Sequence, residues 1–175
     1  MEYKRLSRTL VHAGKIIDVY TDQMELPNGN TADWDFIGHK GAAAFVAETE
    51  TNQIVMVKQY RNALERYTLE IPAGGINPGE DFQTAAVREL TEETGYQVKS
   101  CEHLLDVYTT VAFCNEKIGI YCGRVGEKEL QNLDEDEFVE ICTYSLEELI
   151  QMILEGKIQD SKTVSGLLAY HQKKK

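Results

Sequence analysis

The sequence has no long apolar run and few features of a secreted or membrane protein. No stretch of its 175 residues approaches the roughly 18 apolar residues that a membrane span needs. The first ten residues, MEYKRLSRTL, lack the apolar centre of a signal peptide. The sequence therefore predicts a cytoplasmic protein.

Basic charge and paired cysteines are also scarce. Lys and Arg total 18 against 29 Asp and Glu, which gives a formal net charge of −11. This balance argues against nucleic-acid backbones and anionic membranes as partners, although an anionic small molecule could bind through intervening metal cations. The four cysteines form no C-x-x-C pair and no zinc-type spacing with His, so we expect reduced residues in or near strands.

Short strand-like segments around a few helices are what the sequence does contain. Its 42% hydrophobic content is enough for one domain with a core, or a core and a small appendage. A nearly all-apolar hairpin is predicted for GAAAFVAE and QIVMVKQYR, and YTLEIPAGG predicts a strand that enters a glycine turn. Further strands are predicted at 15–26, 31–39, 101–113, 117–125 and 137–145, and helices after 81, 145 and 160. The predicted class is α/β or α+β with a mixed sheet.

Residues 73–96, AGGINPGEDFQTAAVRELTEETGY, combine a turn-forming loop with a helix that carries acids on its apolar face. At roughly 100° per residue, the apolar stripe consists of Phe82, Ala86 and Leu90. Glu89 and Glu93 fall inside this stripe. Burial of an ionised carboxylate without a partner costs several kcal/mol, so a cation is expected beside them.

A surface helix with a solvated acidic side is the alternative, and an i,i+4 pair between Arg88 and Glu92 favours it slightly. However, Arg88 points away from Glu89 and Glu93 on the helical wheel. Since carboxylate oxygens suit Mg²⁺ or Mn²⁺, a divalent cation is the more economical partner.

The same stretch resembles the Nudix box, G-x5-E-x7-R-E-U-x-E-E-x-G-U, where U is a bulky apolar residue. The matching positions are Gly74, Glu80, Arg88, Glu89, Leu90, Glu92, Glu93 and Gly95, with Tyr96 a soft match to the last U. The resemblance implies a Nudix-type α/β/α sandwich with a mixed β-sheet and an N-terminal antiparallel β subdomain. It also implies metal-dependent hydrolysis of a nucleoside diphosphate linked to another group.

Roles for the box residues follow from that resemblance. Glu89 and Glu93 would be the main metal ligands, with Glu92 as a further ligand that counts among the catalytic residues. Arg88 would orient the glutamates, and Glu80 would pair with Arg88 or reach the metal through water. The expected cofactor is Mg²⁺, for which Mn²⁺ can substitute.

The flanks of the box resemble ADP-ribose pyrophosphatases, which carry a Q-[YF]-R strand followed by L-E-[IL]-P-A-G. On this resemblance Arg61 and Glu70 would touch the phosphates and ribose of the substrate, and the carbonyl of Ala73 would bind metal. Residues 1–40 would form strands for a homodimer that help to build the partner's adenine site, and residues 41–175 would form the catalytic domain. Expected products from ADP-ribose are AMP and ribose 5-phosphate.

One departure from these relatives concerns the substrate. Many ADP-ribose pyrophosphatases carry S-P-G about sixteen residues beyond the box, where this sequence reads Thr110-Val111-Ala112. FAD, NADH and nucleotide sugars therefore stay as alternative substrates. A metal-free ligand-sensing module is the alternative of another class, although the box keeps all its acids and no DNA-binding segment is attached.

Two residues outside the box complete the predicted site. Trp34, the only tryptophan, aligns with a family segment whose side chain stacks on adenine, while a core or interface aromatic is the alternative. Glu137 aligns with the loop glutamate proposed as general base in ADP-ribose pyrophosphatases. Because such an alignment can slip, Asp136 and Glu135 stay as alternatives.

Overall fold

The computed structural model describes residues 2–133 and 138–175. The elements in chain order are β1 (Lys4–Ala13), β2 (Asp18–Glu25), β3 (Thr31–Gly38), β4 (Ala42–Glu48), β5 (Gln53–Arg61), β6 (Arg66–Glu70), β7 (Ala73–Gly75), α1 (Phe82–Thr94), β8 (Tyr96–Val98), β9 (Glu102–Tyr108), β10 (Lys117–Lys128), β11 (Glu140–Ser145), α2 (Leu146–Leu154) and α3 (Ser161–Lys173). A single 3₁₀ turn, Asn62–Leu64, lies between β5 and β6. None of the helices in this described part has the length and apolar content of a bilayer-spanning segment.

The chain divides into two compact units. The first contains the chain up to Gly41 together with Tyr108–Lys117, and the second contains Ala42–Val107 and Ile118–Lys175. Each unit has a sheet of its own.

The second unit is built on a mixed sheet with the strand order β11-β5-β4-β10-β8, to which β6, β7 and β9 add on β5, β4 and β10. Strands β4 and β10 run parallel, whereas β5 is antiparallel to β4, β6 and β11. The predicted hairpin of β4 and β5 and the predicted mixed sheet are therefore confirmed.

Strand β4 explains why both faces of this sheet are covered. Side chains alternate across a strand, and β4 is apolar at every position from Ala42 to Ala47. Phe45 and its neighbours two residues away pack in the same cluster as Ala86 and Leu90 of α1. Val46 packs on the other face with Leu149 of α2 and Leu167 of α3. This arrangement is the expected α/β/α sandwich.

The helix ends match their sequence signals. The side chain of Asp81 accepts a hydrogen bond from the Thr84 amide at 2.9 Å at the start of α1, and Gly95 ends that helix with a φ of 75°. Ser145 and Glu148 form the predicted capping box of α2. Asp160 caps α3, which confirms the expected start of the last helix.

The first unit contains the three-stranded antiparallel sheet β1-β2-β3. The amide of Ile37 in β3 donates to the carbonyl of Phe113 at 2.7 Å, so the segment after β9 adds to this unit. Strands β1 and β8 were not predicted, because every residue of β1 is exposed and β8 has only three residues. The strand predicted over 101–113 was too long, since β9 ends at Tyr108 and a turn follows.

Candidate active site

The glycine loop before α1 fits closely against Glu89, the first of the two predicted metal ligands on that helix. Strand β7 pairs with β4, with Ala73 opposite Ala44, and this fixes the glycine loop against the large sheet. A Cβ at Gly74 would collide with the carboxyl group of Glu89, so only glycine allows this approach. The glycine of the box therefore makes room for a carboxylate.

Arg88 is the centre of a cluster of acids. Its guanidinium donates to Glu80 in a two-pronged pair, with both distances 2.9 Å. The same group donates to Glu89 at 2.7 Å and to Glu92 at 2.9 Å. The prediction that Arg88 points away from Glu89 was wrong, because the long side chain reaches around the helix from its Cα position. The pairing with Glu80 that the resemblance implied is confirmed.

The charge of Glu80 is strongly stabilised. Hydrogen bonds from Arg88, followed by the backbone amide of Asn77, lower the pKa of Glu80 from 4.5 to about 2. Hydrogen bonding to Glu80 likewise raises the pKa of Arg88 above its ordinary value, against the effect of burial. Arg88 also donates to the carbonyl of Gly75 at 2.9 Å, so it links the loop to the helix.

Glu93 lies on the buried side of α1, as the helical wheel indicated. It is 4% exposed, and its carboxylate accepts a hydrogen bond from the amide of Ala73 at 3.0 Å. Glu92 is more open, with 36% of its side chain exposed. The prediction that Glu89 and Glu93 lie on the apolar face matches their burial, since the side chain of Glu89 is 13% exposed.

The donor set fits a hard divalent cation. Three glutamates contact Arg88, and Glu93 adds a fourth carboxylate on the same helix, which leaves an excess of negative charge that a divalent cation would offset. Across residues 2–133 and 138–175, no three His, Cys, Asp or Glu side chains converge closely enough to hold an ion as they stand. The contacts above explain this, since Arg88 holds Glu89 and Glu92 while the Ala73 amide holds Glu93.

A cavity of about 430 Å³ opens over these acids. It is lined by Gly74, Gly75, Ile76, Asn77, Arg88, Glu89, Glu92 and Asn132. Its walls are mainly polar, which suits a charged ligand with its metal ions better than an apolar one.

A second charged cluster lies where β5, β6 and the start of α3 meet. The carboxylate of Glu70 is 2% exposed and forms a two-pronged pair with Arg61, at 2.8 Å and 2.6 Å. Lys162 donates to the same carboxylate. Burial opposes the charge of Glu70, but Arg61 and Lys162 outweigh it and lower its pKa from 4.5 to about 2. Arg61 and Glu70, predicted separately, are thus in direct contact.

Sequence reasoning missed Lys162. Lys162 lies in the first turn of the last helix, where a lysine is commonly a solvated residue. The signal that could have found it is the position of Lys162 two residues after Asp160, which caps the helix and accepts a hydrogen bond from the ammonium at 3.0 Å.

Trp34 lies in the first unit, on β3. Its side chain is 46% exposed, and its ring is tilted against that of Tyr3 with 5.8 Å between the centroids. An open cavity of about 380 Å³ is lined by Asp33, Trp34, Asp35, Ala112 and Phe113. The tripeptide that departs from the S-P-G pattern therefore contributes a residue to the cavity beside Trp34. Glu137, with Glu135 and Asp136, lies outside the described residues.

Known proteins resemble this chain over most of its length. A sequence profile of the family described as "NUDIX domain" matches residues 38–166. A protein of Bacillus methanolicus named "Methanol dehydrogenase activator" is 42% identical over 93% of this chain and 89% of its own length. A protein of Bacillus subtilis (strain 168) named "ADP-ribose pyrophosphatase" is 38% identical over 95% of this chain and 91% of its own.

The fold has a solved counterpart. A structure described as "Crystal structure of ADP compounds hydrolase" superposes with a TM-score of 0.86, covering 98% of this chain and 94% of that chain. The two sequences are 20% identical, so this match concerns the fold alone.

Proposed function

The chain belongs to the NUDIX domain family, and we propose that it hydrolyses the pyrophosphate bond of ADP-ribose to AMP and ribose 5-phosphate. The observation that carries this proposal is the position of Glu89 against Gly74, with Glu93 on the buried side of the same helix. The relative of Bacillus subtilis named an ADP-ribose pyrophosphatase supports the choice of substrate.

Members of this family use divalent metal, and Mg²⁺ is the ion we propose, with Mn²⁺ as a substitute. Glu89, Glu92 and Glu93 would hold it, together with the carbonyl of Ala73. When bound, divalent ions screen the charge of a pyrophosphate and lower the pKa of a water molecule. Arg88 would keep the glutamates oriented, since it already contacts Glu89 and Glu92.

A proton must leave the attacking water, and the box glutamates are occupied as ligands. We propose Glu137 as the general base that accepts this proton, with Asp136 and Glu135 as the alternatives on the same segment. Arg61 and Glu70 would bind the phosphates and ribose of the substrate, and the Arg61 side chain is 41% exposed.

Trp34 is proposed to stack on the adenine. Its exposure and the cavity that it shares with Phe113 support this role. Because Ala112 also lines that cavity, the departure from S-P-G concerns recognition of the nucleotide end and leaves the metal-binding acids unaffected.

A homodimer formed through residues 1–40 is part of the proposal. Every residue of β1 is exposed, and this strand carries the apolar side chains of Leu6, Leu10 and Val11. A second copy of the chain would cover them and could bring its own N-terminal strands to the adenine site. The cytoplasmic location stays a prediction.

The test is a substrate panel. ADP-ribose, FAD, NADH, GDP-mannose and dGTP are compared by kcat/KM with Mg²⁺, with the products of ADP-ribose identified as AMP and ribose 5-phosphate. We expect ADP-ribose to have the highest value. A higher value for FAD, NADH or GDP-mannose would keep the hydrolase and change its substrate, and no turnover of any compound would favour the ligand-sensing module.

A second candidate function comes from the relative named a methanol dehydrogenase activator, which is 42% identical to this chain. The chain would then raise the rate of a dehydrogenase. The rate of purified methanol dehydrogenase from Bacillus methanolicus, measured with and without this chain, tests it. An unchanged rate would refute this candidate and leave the hydrolase proposal intact.

A further inference from the structure

Lys162, Glu70 and Arg61 form one connected cluster of charges, in which Lys162 had no predicted role. We propose that Lys162 is a positioning residue that fixes the guanidinium of Arg61 through the carboxylate of Glu70. The inference rests on the proposed function only in that Arg61 meets the anionic part of the substrate.

The hydrogen bonds to Glu70 occupy all the acceptor sites of its carboxylate. Its Oε1 atom accepts from Nε of Arg61 at 2.8 Å and from the hydroxyl of Thr68 at 2.6 Å. Its Oε2 atom accepts from Nη2 of Arg61 at 2.6 Å and from the ammonium of Lys162. A carboxylate offers about four acceptor sites, and four donors occupy them. Glu70 would therefore act on the substrate through Arg61, in place of the direct substrate contact that the resemblance implied for it.

Lys162 is placed to hold Glu70 and is too enclosed to meet a ligand. The residue is 7% exposed, and its ammonium contacts Glu70 and Asp160. Asp160 is itself fixed, because it accepts from both the amide and the hydroxyl of Thr163 at the start of α3. The cap of a core helix thus sets the position of Lys162, which in turn limits rotation of the Glu70 carboxylate.

Arg61 is the exposed end of this chain of contacts. Glu70 holds one edge of its planar guanidinium by two donors, and such a fork–fork pair fixes the plane as well as the position. The side chain is 41% exposed and lines a cavity of about 380 Å³ to which Arg66 and Lys157 add positive charge. The pair with Glu70 raises the pKa of Arg61 against the effect of burial, so Arg61 stays charged towards this cavity.

The test is a double-mutant cycle on the full chain, with Lys162→Met, Arg61→Ala and the double variant compared with the wild type. KM and kcat are measured with saturating Mg²⁺ and the panel substrate that the wild type hydrolyses best. We expect Lys162→Met to raise KM about tenfold and to change kcat by less than about threefold. In the Arg61→Ala background the same substitution should change KM by less than about twofold, because the group that Lys162 positions is gone.

An equal rise of KM in both backgrounds would overturn the proposal, as would a normal KM for a folded Lys162→Met protein. Lys162→Arg, which keeps a cation at this position, should have a KM much closer to that of the wild type than Lys162→Met has. Lys173→Met is the matched control, since it removes a lysine that pairs with Glu102 at the exposed end of the same helix. Its KM should equal that of the wild type.

Should thermal unfolding show that Lys162→Met does not fold, Thr68→Val replaces it in the cycle. This variant removes one hydrogen bond to Glu70 without removing a charge, and a smaller KM increase that again vanishes without Arg61 is expected. If the fold-changes in KM caused by Thr68→Val and Arg61→Ala simply multiply in the double variant, the proposal is overturned. A wild-type chain that hydrolyses ADP-ribose without this coupling refutes only the inference, whereas an inactive wild type refutes the proposed function and the inference with it.

Discussion

The two charged clusters of the second unit have opposite compositions. One arginine, Arg88, lies among the glutamates of the box, whereas one glutamate, Glu70, lies between two cations, Arg61 and Lys162. The first cluster borders a polar cavity, and the second has its acid buried to 2% exposure. The acids therefore outnumber the cation in the Arg88 cluster (the open cluster), whereas Glu70 is fully paired with cations in the second cluster (the closed cluster).

This difference indicates what each cluster can do. An excess of carboxylates is costly without a further cation, so the Arg88 cluster is suited to recruit divalent metal. The Glu70 cluster has no such excess, and its hydrogen bonds are satisfied by the protein itself. Its exposed part is a guanidinium, which is suited to an anion. We therefore propose the Arg88 cluster for metal and the exposed guanidinium of the Glu70 cluster for phosphate.

Removal of one acid from the open cluster should have the largest effect on catalysis. We expect Glu93→Gln to lower kcat by at least about 10²-fold, because even the outer partners of metal ligands typically contribute 10–100-fold. The fold should persist, since an amide oxygen can still accept from the Ala73 amide. Steady-state kinetics at saturating Mg²⁺ and thermal unfolding measure both effects. Glu147→Gln, which changes an exposed glutamate of α2, is the control. Near-wild-type turnover by Glu93→Gln would refute the proposal that Glu93 is a metal ligand.

Loss of the proposed base should come next. A positioned general base typically contributes 10²–10⁴ in rate, so Glu137→Gln should lower kcat by about that factor with KM and the Mg²⁺ requirement little changed. A rise in the Mg²⁺ requirement would instead place this residue with the proposed metal ligands of the open cluster. Glu135→Gln and Asp136→Gln are measured beside it. If Glu137→Gln keeps more than about a third of wild-type kcat and one of the others does not, the base lies on that neighbour.

The open cluster was predictable from sequence to a large extent. Helical periodicity placed Glu93 on the buried face, and the box spacing identified the glycine loop and the pair of Arg88 with Glu80. The reach of Arg88 to Glu89 was not predicted, because a helical wheel describes Cβ directions and an arginine side chain extends several bonds farther.

The closed cluster was only partly predictable. Arg61 and Glu70 lie on sequence-adjacent strands, so a resemblance to relatives sufficed to propose both. Lys162 is 92 residues from Glu70 in the chain, and their contact depends on how α3 packs on the sheet. Strand β1 was missed for a related reason, since a strand with no buried face has no alternation of apolar residues to detect.

Acid should weaken the closed cluster and so test its pairing. The pKa of Glu70 is about 2 in the folded chain, below its ordinary 4.5, so its stabilising effect is present above pH 4.5 and is lost as the pH falls towards 2. The charged groups that contact it are Arg61 and Lys162, and Lys162 also contacts Asp160. We expect the advantage of the wild type over Glu70→Gln in unfolding free energy to shrink by about 3 kcal/mol over this window.

Urea unfolding at a series of pH values measures this change, with Glu147→Gln as the control whose difference from the wild type should stay flat. A difference between wild type and Glu70→Gln that does not depend on pH would mean that Glu70 is not held as a paired carboxylate. The description of the closed cluster as a fully paired carboxylate would then be wrong.

The smallest expected effect lies outside both clusters, at Trp34. Because we propose the two clusters for metal and phosphate and Trp34 for the adenine, a change at Trp34 should alter substrate binding and leave the chemistry intact. Stacking on a base is worth about 1–3 kcal/mol, so Trp34→Ala should raise KM about tenfold or more with a smaller effect on kcat. Trp34→Phe should have a KM close to that of the wild type, since a phenyl ring still offers a face for stacking. A role in packing alone would instead give both variants a lower melting temperature and a normal KM.

As the chain has one tryptophan, its fluorescence reports on this site directly. Saturating AMP should change that fluorescence, and an unchanged spectrum would mean that the adenine binds elsewhere.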